Sequence, residues 1–399
     1  MIKKLFFYTI LFAQSNAYLQ ELPVDITFLA IDLKFNNGNV KILEFQDGPQ
    51  AGLRAYDFVF GKGGVWRALW DELFSLNIPI WYVGKPPQKV TGPHFSHDDA
   101  DHVAFDYFTN LGGLYASSLE KIAPQPLYQY QRNPLKQSHT FLAGPCNNII
   151  LYKPEVSSSR SLQNFAQRCP QSIIINRYMR NFSADKLKTH GLCCAAGASS
   201  IRPRCGIFQK KYHANLAAEI QKTIGGHLFV IKPINSSRSN GVLVVPAESL
   251  DAVLKNHVTS NTNHPTTKKS RYRPKNTETF SYWEKDVNNQ FIVESFFSSQ
   301  ELMVNNKRYD PTMRGIWIMI SNGKLISIKR LATFWKVATN SLDDLATPTE
   351  KLVSKFRDDF ANLNPKDLTV SANDLEKLDA VMLPALTKIY TYALKHPTW

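Results

Sequence analysis

A lysine that follows a run of apolar residues is the first feature of this chain that could do chemistry. Lys232 comes directly after the apolar residues 228–231, and a polar loop, residues 235–240, then leads through Gly241 into a second apolar run. This pattern predicts two strands joined by a loop that is rich in backbone N–H and hydroxyl donors. Such a loop beside a lysine can bind the phosphates of a nucleotide. An ordinary hairpin with a solvent-exposed lysine has the same pattern.

Two carboxylates and two arginines follow this lysine along the chain. Glu294 lies at the end of another apolar run, and Glu301 follows seven residues later. A strand that ends in a short linker can offer hydrogen bonds to the edge of a purine, and its carboxylates can accept from an exocyclic amine or a ribose. Arg314 and Arg330 belong to the next two predicted strands.

Further oxygen donors lie near the start of the chain. Asp32 and the pair Glu44 and Gln46 lie on two apolar runs joined by Asn37-Gly38, the strongest short signal for a β-hairpin. Two adjacent strands can present carboxylate and amide oxygens side by side. Oxygen ligands of this kind suit Mg²⁺ when it bridges two phosphates.

The order of these motifs resembles the ATP-grasp superfamily in circularly permuted form. Glutathionylspermidine synthetases and eukaryotic-type glutathione synthetases likewise carry their metal strand ahead of the nucleotide lysine, and the resemblance covers most of residues 25–340. It implies ATP and Mg²⁺ as cofactors. By resemblance, the residues that bind phosphate are Lys186, Lys232, Ser236, Ser237 and Ser239, whereas Glu294 binds adenine and Glu301 binds the ribose. The resemblance also implies that the metal is bound by Asp32, Glu44 and Gln46. Arg314 and Arg330 would stabilise the transferring phosphoryl group or a substrate carboxylate.

The activity implied by this resemblance is ATP-dependent carboxylate–amine ligation through an acyl phosphate. Its partners would be a small-molecule or peptide carboxylate and an amine. The sequence departs from the family pattern because Gln46 stands where an asparagine is usual and the phosphate loop has few glycines. Two alternatives therefore stay open: a catalytically degenerate, exported binding protein, and a small-molecule kinase on the same fold.

The periodicity of the apolar residues predicts a mixed fold, α+β or α/β, with a Rossmann-like parallel unit. Strand–helix–strand patterns occur at residues 55–83 and again at 148–176, and residues 372–394 form one amphipathic helix. The predicted divisions are a signal peptide at 1–17, a permuted metal-binding hairpin at 18–54, a Rossmann-like substrate domain at 55–180, and a nucleotide-binding region at 181–399 with a basic insertion near 256–280.

The N-terminus predicts export. Lys3 and Lys4 precede an apolar run, residues 5–13, and small residues follow at 15 and 17. The run is too short for a permanent transmembrane helix. Five cysteines lie between residues 146 and 205, and one or two disulfides would fit an oxidising compartment. Export conflicts with the use of ATP, and the chain would be cytoplasmic if the signal were not functional.

The charge of the chain favours anionic partners. The formal net charge is +14, yet no basic run is interleaved with aromatic residues in the manner of RNA-binding proteins, which argues against nucleic acid. His94, His97 and His102, which alternate with aspartates, could bind a metal, although this pattern more often forms a helix cap and first turn.

Overall fold

The computed structural model describes residues 22–47, 58–61, 63–84, 97–119, 122, 148–152, 159–183, 185–234, 239–258, 282–283, 286–353 and 363–397. Within them the strands are β1 (Val24–Asn36), β2 (Asn39–Asp47), β3 (Ile80–Val83), β4 (Leu114–Ala116), β5 (Asn148–Tyr152), β6 (Ser172–Ile174), β7 (Cys205–Gln209), β8 (Leu228–Pro233), β9 (Leu243–Pro246), β10 (Gln290–Ser295), β11 (Leu302–Val304), β12 (Lys307–Tyr309), β13 (Thr312–Asn322) and β14 (Ile326–Lys336). The helices are α1 (Gly64–Ser75), α2 (His97–Asn110), α3 (Ser159–Arg168), α4 (Arg180–Ser183), α5 (Lys186–Ala195), α6 (Leu216–Ile224), α7 (Leu250–Val258), α8 (Pro348–Leu352) and α9 (Ala372–Lys395).

A four-stranded antiparallel sheet, the central sheet, has the order β14-β13-β1-β2. Its N-terminal hairpin forms as predicted, because Asn37 and Gly38 both adopt positive φ angles, 46° and 88°, which a tight two-residue turn requires. Every residue of β1 except the first and the last is buried. Both faces of this strand are therefore covered by other layers of the molecule.

A four-stranded parallel sheet, with the order β4-β3-β5-β6, lies against one side of the central sheet. It confirms that the chain contains a parallel α/β unit, and α1 and β3 lie where the sequence predicts them. The strand expected at residues 55–60 is wrong at its end, because residues 58–60 are helical. Their short apolar run has no period that separates a strand from a helix.

The lysine hairpin also forms. β8 carries Lys232 and pairs antiparallel with β9, and the two strands belong to a second antiparallel sheet, the lysine sheet, with the order β7-β10-β8-β9. α6 and α7 cover one face of the lysine sheet, where Ile220, Leu250 and Leu254 pack against its apolar side chains. The small hairpin β11–β12 forms a separate two-stranded sheet.

Two large hydrophobic cores lie on opposite faces of the central sheet. Alternate residues of β1 point to opposite faces, so Leu29 and Ile31 belong to a core shared with α5 and α9. Phe28 and Ala30 belong to the core shared with α1 and the parallel sheet. The C-terminal helix is thus a structural layer, in agreement with its predicted amphipathic character.

The predicted signal peptide and residue Cys146 lie outside the described residues. The other four cysteines, Cys169, Cys193, Cys194 and Cys205, are all free thiols, so the disulfides expected from the sequence are not found among them. No helix in the described ranges is long and apolar enough to cross a membrane.

Candidate functional site

One face of β1 changes character along its length. Phe28 and Ala30 face the parallel unit, and on the same face Asp32 and Lys34 follow at the alternating spacing of a strand. Asp32 is opposite Glu44 in the register of β1 with β2. A bulge there pairs Leu33 with Ile42, so that Leu43 is the extra residue. The charged end of this face is one wall of a cavity.

The lysine sheet and α5 supply the opposite wall. Lys232 lies near the end of β8, and Glu294 lies on the adjacent strand β10. Asp185 caps α5, because its carboxylate accepts from the backbone N–H groups of Leu187 and Lys188. This cap fixes Lys186 in the first turn of the helix.

The cavity between the two antiparallel sheets has a volume of about 70 Å³. Four lysines and three carboxylates are among the residues that line it, beside a set of apolar side chains. The lining residues are Asp32, Lys34, Leu43, Glu44, Lys186, Val230, Lys232, Ser239, Val242, Val244, Glu294, Ser295, Phe296, Phe297, Thr312, Lys336, Leu352 and Val353.

Asp32 is the centre of the first charged cluster. Arg314, its direct neighbour on β13, donates through Nε to Oδ1 at 2.7 Å and through Nη2 to Oδ2 at 2.8 Å. Lys336 of β14 donates to Oδ2, also at 2.8 Å. Burial by itself would raise the pKa of Asp32, but the charges of Arg314 and Lys336 overcome this effect and hold the pKa below its usual range. Asp32 is therefore ionised, and both of its oxygens accept hydrogen bonds from buried cations.

Glu294 is the centre of the second charged cluster and is 1 % exposed. Its Oε1 accepts from Arg202 at 2.6 Å, and its Oε2 accepts from Lys232. Burial would raise the pKa of Glu294, but the charges of Lys232 and Arg202 lower it. Glu294 therefore holds Lys232 in place at the cavity wall.

Lys34 is held by three acceptors from one neighbouring segment. It forms an ion pair with Asp310 and also donates to the carbonyl oxygens of Asp310 and Pro311. Burial lowers the pKa of Lys34, whereas the charge of Asp310 raises it. With three acceptors around one ammonium group, this lysine joins β1 to the segment before β13.

An apolar wall lies beside the charged clusters. Val242, Val244 and Val353 form a small core of their own, with Val230 and Phe296 packed against it. α8 is fixed to this wall because Thr349 accepts from the backbone N–H of Val244 and donates to its carbonyl oxygen. The cavity can therefore receive a ligand with an apolar part and an anionic part.

The structure brings together most of the predicted site residues. Asp32, Glu44, Lys186, Lys232, Ser239 and Glu294 line the cavity, and Arg314 contacts Asp32. Glu301 is exposed, and its Oε2 lies 3.7 Å from Nη1 of Arg308. Arg330 forms an ion pair with Asp379 of α9. Neither of these two is among the lining residues in the described part of the chain. Ser236 and Ser237 lie outside the described residues.

The donor set does not fit Mg²⁺ as it is arranged. Both oxygens of Asp32 accept hydrogen bonds from buried cations, and the Gln46 side-chain amide points its N–H₂ group at Asp32, at 3.4 Å. Of the three predicted metal ligands, Glu44 is the one whose side chain forms no hydrogen bond within the described residues. The described residues contain no group of three or more His, Cys, Asp or Glu side chains placed to hold a metal ion.

Two functional residues were not identified from the sequence, Lys336 and Arg202. Lys336 is the one charged residue within the sequence of residues 331–338, and a charge in such an otherwise uncharged run was the available signal. Arg202 lies in a short irregular segment and reaches both sheets, which no local pattern indicates.

Comparisons with known proteins give little further information. No protein-family model and no curated protein matches the chain. Among solved structures, it is similar to the crystal structure of "Putative gamma-glutamylcysteine synthetase" from Methylobacillus flagellatus KT, with 10 % sequence identity and a TM-score of 0.41, over 93 % of this chain and 88 % of that one.

Proposed function

We propose that the chain is an ATP-dependent carboxylate–amine ligase with a circularly permuted ATP-grasp fold. The observation that carries the nucleotide part is the cavity of about 70 Å³ between two antiparallel sheets. Lys186 and Lys232 lie on one side of this cavity. Asp32 and Glu44 lie on the other. The ligase part rests on the sequence resemblance. The proposed substrates are a small-molecule or peptide carboxylate and an amine.

In the proposed reaction, a carboxylate oxygen attacks the γ-phosphorus of ATP, and the bond to the leaving ADP oxygen breaks. The amine nitrogen then attacks the carbonyl carbon, the bond between that carbon and the phosphate oxygen breaks, and the departing phosphate takes up the proton that the nitrogen loses. Lys232, oriented by Glu294, and Lys186 bind phosphate oxygens and stabilise their charge. Lys336, held by Asp32, lines the cavity and faces the transferring group, and Arg314 adds its positive charge from behind Asp32. The apolar wall around Val244 and Phe296 receives the base.

Amine-dependent turnover tests this proposal. We expect the purified protein to release phosphate from ATP only when a carboxylate and an amine are both present, and hydroxylamine to trap the acyl phosphate as a hydroxamate.

Lys232→Met should weaken nucleotide binding roughly tenfold or more, because one charge-assisted hydrogen bond is lost. Lys222→Met removes the same charge from the exposed side of α6 and should change nothing. Absence of saturable nucleotide binding would refute the proposal, and phosphate transfer to a hydroxyl would favour the kinase.

A second candidate is a nucleotide-binding protein on a degenerate ATP-grasp scaffold. The hydrogen bonds that Arg314 and Lys336 donate to Asp32 favour it, because the predicted metal carboxylate is already engaged. Nucleotide binding without turnover of any carboxylate and amine would identify this candidate.

We also propose the division of the chain into the four regions that the sequence predicts, the first of which, residues 1–17, is a signal peptide for export. N-terminal sequencing of the mature protein tests export, and an intact Met1 would contradict it.

A further inference from the structure

The two strands of the lysine hairpin part at the wall of the cavity. Their last pair is Ile231 of β8 opposite Leu243 of β9. Beyond this pair, β8 stays bonded to β10 as far as Pro233. The residues that lead back into β9, the return segment (residues 239–242), therefore need another support, because backbone polar groups away from water have to be paired.

Two buried side chains before β10 supply this support. The indole Nε1 of Trp283 donates to the carbonyl oxygen of Gly241 in the return segment, at 2.8 Å. Oδ2 of Asp286 accepts from the backbone N–H of Ile234, directly after β8, at 2.9 Å. Trp283 and Asp286 are both buried. The backbone on the two sides of the opening is thus tied to the same place.

The packing at Gly241 is correspondingly close. Its φ is 72°, and a Cβ at this residue would lie 2.9 Å from Cγ of Pro233 and 3.2 Å from Cβ of Tyr282. A side chain here would therefore displace one of these two neighbours, and its backbone would be strained. The return segment passes between the end of β8 and the residues next to Trp283.

Trp283 and Asp286 are themselves fixed to the lysine sheet. Lys210, which follows β7, donates to the backbone carbonyl oxygens of Trp283 and, at 2.7 Å, of Asp286. Oδ1 of Asp286 accepts from the side-chain amide of Asn288 at 2.6 Å. The Trp283 ring packs edge to face against Phe291 of β10, with ring centroids 5.8 Å apart. The support is therefore anchored on β7 and β10.

We propose that Trp283 and Asp286 are positioning residues for nucleotide binding. They hold the return segment in place relative to Lys232, so that Ser239 and Val242 stay at the cavity wall. Neither Trp283 nor Asp286 is a lining residue in the described part of the chain. Groups that are ordered in advance raise affinity, because binding does not have to order them. The inference rests on the proposed nucleotide site but not on the ligase reaction.

Calorimetric titration of the full-length protein with ADP in Mg²⁺ tests the role of Trp283. Trp283→Phe keeps a buried aromatic ring and removes the N–H that binds Gly241. We expect the affinity to fall roughly three- to tenfold, as for one neutral hydrogen bond. Trp317→Phe is the matched control and should leave the affinity unchanged. Trp317 is also buried, but its Nε1 has no hydrogen-bond partner among the described residues.

A rescue tests the role of Asp286. Asp286→Ala removes the acceptor of the Ile234 N–H and should weaken ADP binding by roughly tenfold. Asp286→Asn keeps a side-chain oxygen and should restore most of the affinity. Asp25→Ala removes a different buried acid, which accepts from Tyr390, and should lower stability without changing ADP binding. Circular dichroism at the titration temperature establishes that each variant is folded.

The outcomes separate this proposal from the proposed function. Wild-type affinity in either Trp283→Phe or Asp286→Ala would overturn the proposal and leave the ligase intact. An equal loss in Trp317→Phe would also overturn it, because packing alone would then explain the effect. Absence of ADP binding by the wild-type protein would refute the nucleotide site and the proposal together. If Asp286→Ala does not fold, the result with Trp283→Phe decides.

Discussion

At the scale of single residues, the molecule contains an unusual set of buried charges. Asp32, Glu294 and Asp310 are each at least 94 % buried, and each is paired with buried cations. Buried ion pairs add little net stability, because desolvation offsets their attraction. Removal of one partner is costly, however, since it leaves the other charge uncompensated. These residues therefore fix the geometry of the cavity more than they stabilise the fold.

Asp25 is a different kind of buried acid, because it accepts hydrogen bonds from hydroxyl groups. Its Oδ2 accepts from the hydroxyl groups of Tyr390 and Thr27. Burial raises its pKa to about 6 against this hydrogen bonding. The folded protein thus binds the Asp25 proton more tightly than the unfolded chain does. The contribution of Asp25 to the free energy of unfolding is therefore greatest at acidic pH, and it is lost as the pH rises towards about 6.

We therefore predict that Asp25→Asn removes part of the pH dependence of stability. A shift of this size corresponds to about 3 kcal/mol, so wild-type stability should fall relative to the variant by up to this amount between acidic and neutral pH. Urea denaturation at several pH values measures the difference. Asp251→Asn, at an exposed position of α7, is the control and should follow the wild-type profile. Parallel profiles for Asp25→Asn and wild type would contradict the prediction.

At the scale of elements, the β1–β2 hairpin, together with the bulge at Leu43, sets the position of Asp32 against Glu44. Its register depends on the two-residue turn, where Gly38 has a φ of 88°. A side chain at this φ is strained even though a Cβ would meet only Lys377, at 3.8 Å. Gly191 in the helix α5 can accept a side chain, because its backbone is helical and a Cβ there would meet nothing within 4 Å.

The two glycines should respond to alanine with opposite signs. Gly38→Ala is expected to lower the free energy of unfolding by about 1 kcal/mol through backbone strain. Gly191→Ala should raise it by roughly 0.5–1 kcal/mol, because alanine is the better helix former. Chemical denaturation measures both changes. Equal effects of the two substitutions would show that the turn does not require its positive φ.

At the scale of the whole molecule, Arg202 joins the two sheets that form the cavity. Its Nη1 donates to the carbonyl oxygens of Ile42 and Leu43 on β2, at 2.8 and 3.0 Å, and its Nη2 donates to Glu294 on β10. One guanidinium group thereby fixes the central sheet relative to the lysine sheet.

We predict that Arg202→Ala destabilises the fold by about 3 kcal/mol, as expected when a buried ion pair loses one partner, and also weakens nucleotide binding. Arg308→Ala is the matched control, because Arg308 pairs with Asp343 at the exposed surface, and it should change stability little. Thermal unfolding and ADP titration give the two readouts. If Arg202→Ala behaves like Arg308→Ala, the two sheets do not depend on this link.

The local elements of this protein were readable from the sequence. Asn37-Gly38 predicted the first hairpin, the apolar runs around Lys232 predicted β8 and β9, and the amphipathic period predicted α9. These features depend on neighbouring residues, whose propensities and alternation are written in the chain. The sequence also places Asp32 and Glu44 on adjacent strands of this hairpin, but the bulge at Leu43 decides that they are direct partners.

The contacts between distant segments were decided by the tertiary structure alone. The sequence gives no local reason for Asp32 to meet Arg314 and Lys336, about 280 and 300 residues later, or for Glu294 to meet Arg202. These pairs follow from strand order and sheet packing, which local propensity does not encode. They surround Asp32, the predicted metal ligand, with two buried cations, and a carboxylate's chemistry depends on which charges the fold places around it.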